Sequence, residues 1–374
     1  MRYIASFVIS CFCLVACDEV LLGPKGMIDE QRNLKLPPAM DDGIQVSSPS
    51  QVGLDSTKLF DVISDLQQNG AKDIRSILIA RNNQLVLEAY FSGWHRDRKQ
   101  DIRSASKSFV SAVMGIAIDK GVVKSVDEEI LDFFPEYESF QKWDERKSDM
   151  TIGDFLRMRT GLSCNDWIDY SAGNQEKMYA TDDWIKFILD LPVSTEPGER
   201  FSYCSGAPIT LSAIINKTSG TTNFKFADDN LFAPLGITDY VWEYMPARRD
   251  YAGGQLHMRS RDVLKFGLLF LNNGVWNGER IISENWIEES TRANGDVPGQ
   301  RQGVGYGYYW WTTSWTTGAG EVHAYYANGN GGQVMYVIKD LNMVVLFTGG
   351  AYDTNAEAKL YAIMSNSILP AVVK

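Results

Sequence analysis

Ser104-Ala105-Ser106-Lys107 follows a stretch of strand-forming residues and opens an apolar helical run. Residues three apart on a helix are neighbours on one face, so this spacing brings the Lys107 amine within reach of the Ser104 hydroxyl. An uncharged lysine there can take the serine proton as the serine attacks a carbonyl, with no histidine required. The spacing alone is not specific. A chain with this much Ser and Lys carries about one S-x-x-K by chance, and a second stands at Ser139-Phe140-Gln141-Lys142.

The surroundings separate the two. Upstream of Ser104, residues Ser76 to Phe91 hold two β-rich runs around the turn Arg81-Asn82-Asn83-Gln84. Downstream, Phe109, Val110, Val113, Met114, Ile116, Ala117 and Ile118 recur at helical spacing and stop near Gly121. A serine in the first turn of such a helix sits where the helix dipole favours developing negative charge. Ser139 lies in the charged stretch from Glu136 to Lys147, which reads as solvated surface. Ser104 is the expected nucleophile, and the competing reading is an N-cap serine beside an ordinary surface lysine.

A hydrolase also needs an oxyanion hole and a proton for the leaving group. The turn Pro197-Gly198 precedes Tyr203-Cys204-Ser205, after which Ile209 to Ile215 begins another apolar helix. Tyr-x-[Ser/Asn] recurs at Tyr90, Tyr137 and Tyr326, but only Tyr203 combines a preceding turn with a following helix. The third segment is Ala327-Asn328-Gly329-Asn330-Gly331-Gly332-Gln333, followed by β-rich runs at Val334 to Ile338 and Met343 to Thr348. Glycine at this density lets backbone approach a ligand, and an exposed amide can donate to an oxyanion. Taken alone, the segment reads as a tight hairpin, and Thr316-Thr317-Gly318-Ala319-Gly320 competes with it one strand earlier.

Within 374 residues no Pro/Gly/Ser-rich linker interrupts the chain after residue 50, so one catalytic unit with two lobes is expected. Hydrophobic content of 44% and aromatic content of 12% belong to a packed globular protein. A net charge of -11 with only short basic clusters argues against nucleic acid as a partner. His95, His257 and His323 are scattered, with no His-x-x-x-His or Cys-x-x-Cys spacing, so no metal and no other cofactor is expected.

Arg2 precedes an apolar stretch from Ile4 to Ala16 that is too short to span a bilayer but suits a signal peptide, residues 1–16. Its end, Leu14-Val15-Ala16-Cys17, resembles the bacterial lipobox. That resemblance implies cleavage before Cys17, acylation of its thiol, and a lipid-anchored tether over residues 17–45. The alternative is an ordinary signal peptide with a chance cysteine. Asp18 resembles an inner-membrane retention signal, so the expected location is exported and lipid-anchored, on the periplasmic face of the inner membrane in a Gram-negative cell. With Cys11 and Cys13 in the leader and Cys17 lipidated, Cys164 and Cys204 remain. Two thiols in an exported protein form one disulfide or serve as two small buried apolar residues.

Taken together in their order, Ser104-Ala-Ser-Lys107, Met150 to Leu162, Pro197-Gly to Tyr203-Cys-Ser205, Ala252-Gly-Gly-Gln255 before Arg261-Asp262, Gly305 to Trp311 and Gly329 to Gln333 resemble the penicillin-recognising serine hydrolases related to class C β-lactamases. The likeness covers most of residues 50 to 370 and is nearest in motif to the 6-aminohexanoate-dimer hydrolase and esterase branch. It implies a mixed α/β fold: an antiparallel sheet flanked by helices, with an inserted, mostly helical lobe. The catalytic domain would run from 46 to 374, with a sheet lobe at about 46–102 and 251–374, a helical lobe at about 103–250, and the site between them. By the same resemblance, Ser104 is the nucleophile and Lys107 and Tyr203 share the base and acid roles. Ser205 takes the position that hydrogen-bonds Lys107 or substrate, and Gly329-Asn330 brings the second oxyanion amide beside that of Ser104.

Ala327-Asn328-Gly329 falls where the lactamases carry Lys-Thr-Gly, and Ala327 cannot meet a β-lactam carboxylate. A small-molecule ester or linear amide is therefore the expected substrate. The alternatives are a β-lactamase or D-alanyl-peptide hydrolase of the cell wall, and a catalytically silent binding module. Asp166, Trp167, Tyr170, Trp310 and Trp311 either line the cleft or pack the core.

Overall fold

The computed structural model describes residues 34–68, 73–137, 139–245, 249–250 and 254–373. The expected signal peptide 1–16, the expected lipidation site Cys17 and the first part of the expected tether, residues 17–33, lie outside them. Strand β1 (Gln45–Val46) leads to helix α1 (Ser56–Gln68), and then to a hairpin of β2 (Ile74–Arg81) and β3 (Gln84–Tyr90). Asn82 and Asn83 turn that hairpin with φ of 51° and 61°. A two-residue hairpin needs this left-handed pair to match strand twist, and asparagine tolerates it. Next come β4 (Gln100–Asp101), α2 (Ser106–Asp119) and α3 (Gly206–Ser219), followed by β5 (Val241–Trp242), β6 (Leu256–Met258) and α4 (Ser260–Leu271). The chain closes with β7 (Gly305–Tyr306), β8 (Trp311–Thr317), β9 (Gly320–Gly329), β10 (Gln333–Ile338), β11 (Met343–Gly349) and α5 (Ala356–Ile363).

Among the described residues the main sheet has eight strands in the order β1-β3-β2-β11-β10-β9-β8-β7. Its pairs are antiparallel except for β1 with β3. Because strand side chains alternate between faces, neighbours in β9 report opposite sides of the sheet. The Tyr325 hydroxyl donates to the Phe270 carbonyl of α4, whereas that of Tyr326 donates to Glu357 of α5. Helices thus cover both faces, and this is why β10 and β11 are buried throughout rather than alternating.

Helix α2 is buried nearly all round, packs against α3, and stacks Phe109 on Phe266 of α4 at 3.8 Å. A small sheet, β4-β6-β5, fixes Gln100–Asp101 just before the turn that carries Ser104. Arg261 holds part of the segment before β1: its guanidinium donates to the Pro38 carbonyl at 3.1 Å, pairs with Asp42 at 2.9 Å and meets the buried Glu88 at 3.3 Å. No helix among the described residues is long and apolar enough to cross a membrane.

Candidate active site

Arg103 has φ of 53°, a left-handed conformation that is costly for a residue with a side chain. Asp101 sustains it by accepting the Arg103 N–H at 2.7 Å and pairing with its guanidinium at 2.9 Å. The chain then makes a 3-10 turn, Arg103–Ala105, before α2 begins. Ser104 lies in that turn, one step ahead of the α-helix that the sequence assigns it to. The spacing argument survives the shift, since Lys107 Nζ donates to Ser104 Oγ at 3.0 Å. Lys107 is 1% exposed. The competing serine, Ser139, is exposed on an irregular segment.

Tyr203 joins this pair, with the Lys107 ammonium group 5.0 Å from its ring centre. Its ring lies between Trp167, stacked at 5.3 Å, and Trp311 at 6.1 Å. The other tyrosines that fit the motif give their hydroxyls to carboxylates elsewhere: Tyr90 to Glu88, Tyr137 to Asp183 and Tyr326 to Glu357. Burial holds Tyr306 and Tyr309 protonated far above the ordinary phenol range, and the nearby Tyr203 adds to that effect.

Strand β9 closes the other side. A Cβ on Gly329 would fall 2.3 Å from the Ile102 carbonyl oxygen, so only glycine lets the strand end approach the Ser104 turn. Asn330 follows at the start of the β9–β10 turn. Its side chain donates to Asp353 at 2.8 Å and accepts the Asp353 N–H at 2.9 Å. Below it, Gln333 is 2% exposed and bonds Gly349 through both N–H and C=O.

Cys164 and Cys204 form a disulfide, with Cα atoms 5.4 Å apart. The bridge aligns residues on either side of it. Asp166 Oδ2 accepts the Ser205 N–H at 2.7 Å, Oδ1 accepts the Gln175 N–H at 3.0 Å, and the Asp166 N–H donates to the Tyr203 carbonyl at 2.9 Å. Burial raises the Asp166 pKa, while the Lys107 charge and the Ser205 bonds pull it back. Of the five residues read as cleft or core, Asp166, Trp167 and Trp311 gather at Tyr203. Trp310 is wholly buried against Phe270, and Tyr170 is 86% exposed. Two contributors were not singled out by sequence: Gln100, whose side-chain amide donates to Gln333, and Gln175, which contributes only its backbone N–H to Asp166, a group every residue but proline carries and no sequence marks. Among the described residues no group of His, Cys, Asp or Glu could hold a metal ion.

The family model for Beta-lactamase matches residues 62–364. The chain belongs to the beta-lactamase family of serine hydrolases. A relative, the 6-aminohexanoate-dimer hydrolase of Paenarthrobacter ureafaciens, is 23% identical over 235 residues, which is 57% of this chain and 56% of that protein. The match therefore spans little more than half the length of that curated relative. Among solved structures, a family VIII carboxylesterase aligns with a TM-score of 0.66 at 16% identity, over 86% of this chain and 95% of the other. A D-stereospecific amidohydrolase from Streptomyces sp. aligns with a TM-score of 0.61 at 15% identity, over 79% and 95%. At these identities the structures establish the beta-lactamase family's fold.

Proposed function

We propose that this beta-lactamase-family hydrolase cleaves a small ester or amide through an acyl-enzyme on Ser104, with Lys107 and Tyr203 as general base and acid. The observation that carries this reading is the 3.0 Å bond from Lys107 Nζ to Ser104 Oγ. As Oγ bonds to the substrate carbonyl carbon, its proton passes to Lys107, and Lys107 with Tyr203 returns it to the leaving oxygen or nitrogen. The backbone amides of Ser104 and Asn330 receive the oxyanion. Water then releases the acyl group by the same steps in reverse. A relative named for hydrolysis of the 6-aminohexanoate dimer, and neighbours named carboxylesterase and amidohydrolase, agree with an ester or amide. A fluorophosphonate probe should label Ser104, and Ser104→Ala should abolish labelling and turnover while Ser139→Ala leaves both intact. Full activity in Ser104→Ala would reject the assignment.

The same reading places the protein outside the cytoplasm, anchored by lipid on Cys17. The Cys164–Cys204 disulfide supports export, since such bonds persist in oxidising compartments. Expressed in a bacterial host, the mature protein should fractionate with membranes, and Cys17→Ser should release it. An unacylated native protein with its mature terminus elsewhere would refute the anchor.

A further inference from the structure

We infer that a ladder of arginines and aromatic rings beside the Ser104 turn, Arg98-Trp94-Arg75-Tyr352-Arg103, receives a carboxylate of the substrate, so that acidic esters or amides are preferred to neutral ones. The inference rests on the role proposed for Ser104 and names the substrate class of that same site. The ladder is continuous. The Arg98 guanidinium lies 3.9 Å from the ring centre of Trp94, and that of Arg75 lies 4.3 Å from the same indole. Arg75 is also 5.3 Å from the Tyr352 ring and donates to its hydroxyl at 2.9 Å, while Arg103 lies 4.8 Å from that ring.

Its inner end borders the proposed oxyanion site. Arg103 is the residue before Ser104, and its Cβ lies 3.1 Å from where a Cβ on Gly329 would fall. A Cβ on Gly331 would fall 2.5 Å from the Tyr352 ring. Asn330, whose amide is proposed for the oxyanion, therefore stands between two glycines that meet Arg103 and Tyr352. Trp94 and Tyr352 are half-buried, and Arg98 and Arg103 are exposed.

A guanidinium stacked on a ring keeps its N–H edge for a carboxylate, which it can hold by two bonds. Arg103 shares its charge with Asp101 at 2.9 Å, but Arg75 and Arg98 enter no ion pair among the described residues. Asp353, next after Tyr352, turns to Asn330. The chain as a whole carries a net charge of -11, a field that repels anions, so cations gathered beside Ser104 select for them locally. This place differs from that of a β-lactam carboxylate. Ala327 lies two residues back along β9, whereas the ladder begins at Gly329 and Gly331, where the strand ends. The carboxylate it takes is carried further from the scissile carbonyl.

The test compares kcat/KM for neutral p-nitrophenyl hexanoate with two acidic esters. One is p-nitrophenyl hydrogen adipate, with a carboxylate at the end of an acyl chain of the same length; the other is 3-carboxy-4-nitrophenyl hexanoate, with the carboxylate on the leaving group. For at least one acidic ester, the ratio of acidic to neutral kcat/KM should fall about three- to fivefold in Arg75→Gln, the size of one partly exposed ion pair. Arg75→Lys should keep most of it. A ratio that moves for neither acidic ester overturns the inference, and so does an equal fall in all the rates, which marks a structural role. Salt gives a second reading on the wild type alone. Raising the ionic strength from about 0.01 M to about 1 M shortens the Debye length from about 30 Å to about 3 Å. With the ladder drawing the carboxylate, the ratio falls as salt rises. With only the net charge acting, the anion is repelled and the ratio rises or stays level, an outcome that overturns the inference even where Arg75→Gln fails to fold. Fluorophosphonate labelling separates the two readings. An unlabelled wild type that turns over none of the esters sinks the proposed function, whereas a labelled wild type that hydrolyses the neutral ester with no salt-sensitive preference sinks the ladder alone.

Discussion

Gln333 Oε1 accepts a hydrogen bond from Gln100 Nε2 at 2.8 Å, joining the start of β10 to the strand that runs into the Ser104 turn. The same amide gives its own N–H to the Gly349 carbonyl at 2.7 Å and accepts the Gly349 N–H at 3.1 Å. One buried side chain therefore holds three segments, among them the strands that lead to Ser104 and away from Asn330. In the proposed mechanism the oxyanion amides of Ser104 and Asn330 depend on that placement.

Gln333→Leu should test this linkage. It removes the amide and leaves Gln100 and Gly349 with buried polar groups unpaired, at about 1–3 kcal/mol for each such group. Urea denaturation should show a loss of roughly 2–4 kcal/mol. Esterase kcat should fall with little change in KM, since the oxyanion is bound mainly in the transition state. A variant as stable and as active as wild type would show that the amide only fills space.

The disulfide closes a loop between residues 40 apart in sequence. Chain entropy assigns a loop of this length about 4 kcal/mol. Reduction should lower the unfolding free energy by that order and also slow hydrolysis, because Asp166 and Ser205 are aligned by the bridge. The intact mass of the native protein should be two hydrogens below the reduced value, with thiols labelled only after reduction. Labelling of both thiols in unreduced, denatured protein would refute the bond.

Glu88 is fully buried and takes hydrogen bonds from Tyr90 at 2.8 Å, Arg96 at 2.7 Å and Arg261 at 3.3 Å. Removing one partner of a buried charge network typically costs about 3–5 kcal/mol. Glu88→Ala should lose that order of stability. It should also free the segment that Arg261 holds at Pro38 and Asp42, seen as faster proteolysis between residues 34 and 44. Unchanged cleavage there would mean that the segment is held by other contacts.

Much of this arrangement was legible before any coordinates. The Asn82-Asn83 turn, the apolar run after Ser104 and the glycines at 329 to 332 each carry a local backbone or burial requirement, and local requirements leave marks on sequence. The pairing of Ser104 with Lys107 was legible for the same reason, because helical spacing is a local property. Tyr203 needed context, since Tyr-x-Ser is common, and structure separates it from Tyr90, Tyr137 and Tyr326 by what each hydroxyl meets. Less was legible where function depends on distant backbone. Gln100 and Gln333 stand 233 residues apart, and nothing local to either marks the pair. The contacts of Pro38 and Asp42 with Arg261 are equally unmarked, since Arg261 reaches them from across the chain. Trp310 and Trp311 show the limit of composition: adjacent in sequence, one packs the core and the other stacks on Tyr203.

Ala327 carries the substrate prediction. It shares the β9 face of Gly329, the face turned toward the Ser104 turn, and at 1% exposure it brings no charge there. A β-lactam carboxylate would lack the charge-assisted contact that a lysine at this position provides, a contact worth about 1.5–3 kcal/mol. That difference corresponds to one or two powers of ten in affinity, roughly. Short esters have no carboxylate and lose nothing. The expected outcome is a kcat/KM for p-nitrophenyl acetate or butyrate at least about tenfold above that for nitrocefin. Both rates should vanish together in Ser104→Ala, so that the ratio reports one site. Nitrocefin turned over faster than the ester by the unmodified protein would move the assignment to the lactamase branch, with a cation other than residue 327 receiving the carboxylate.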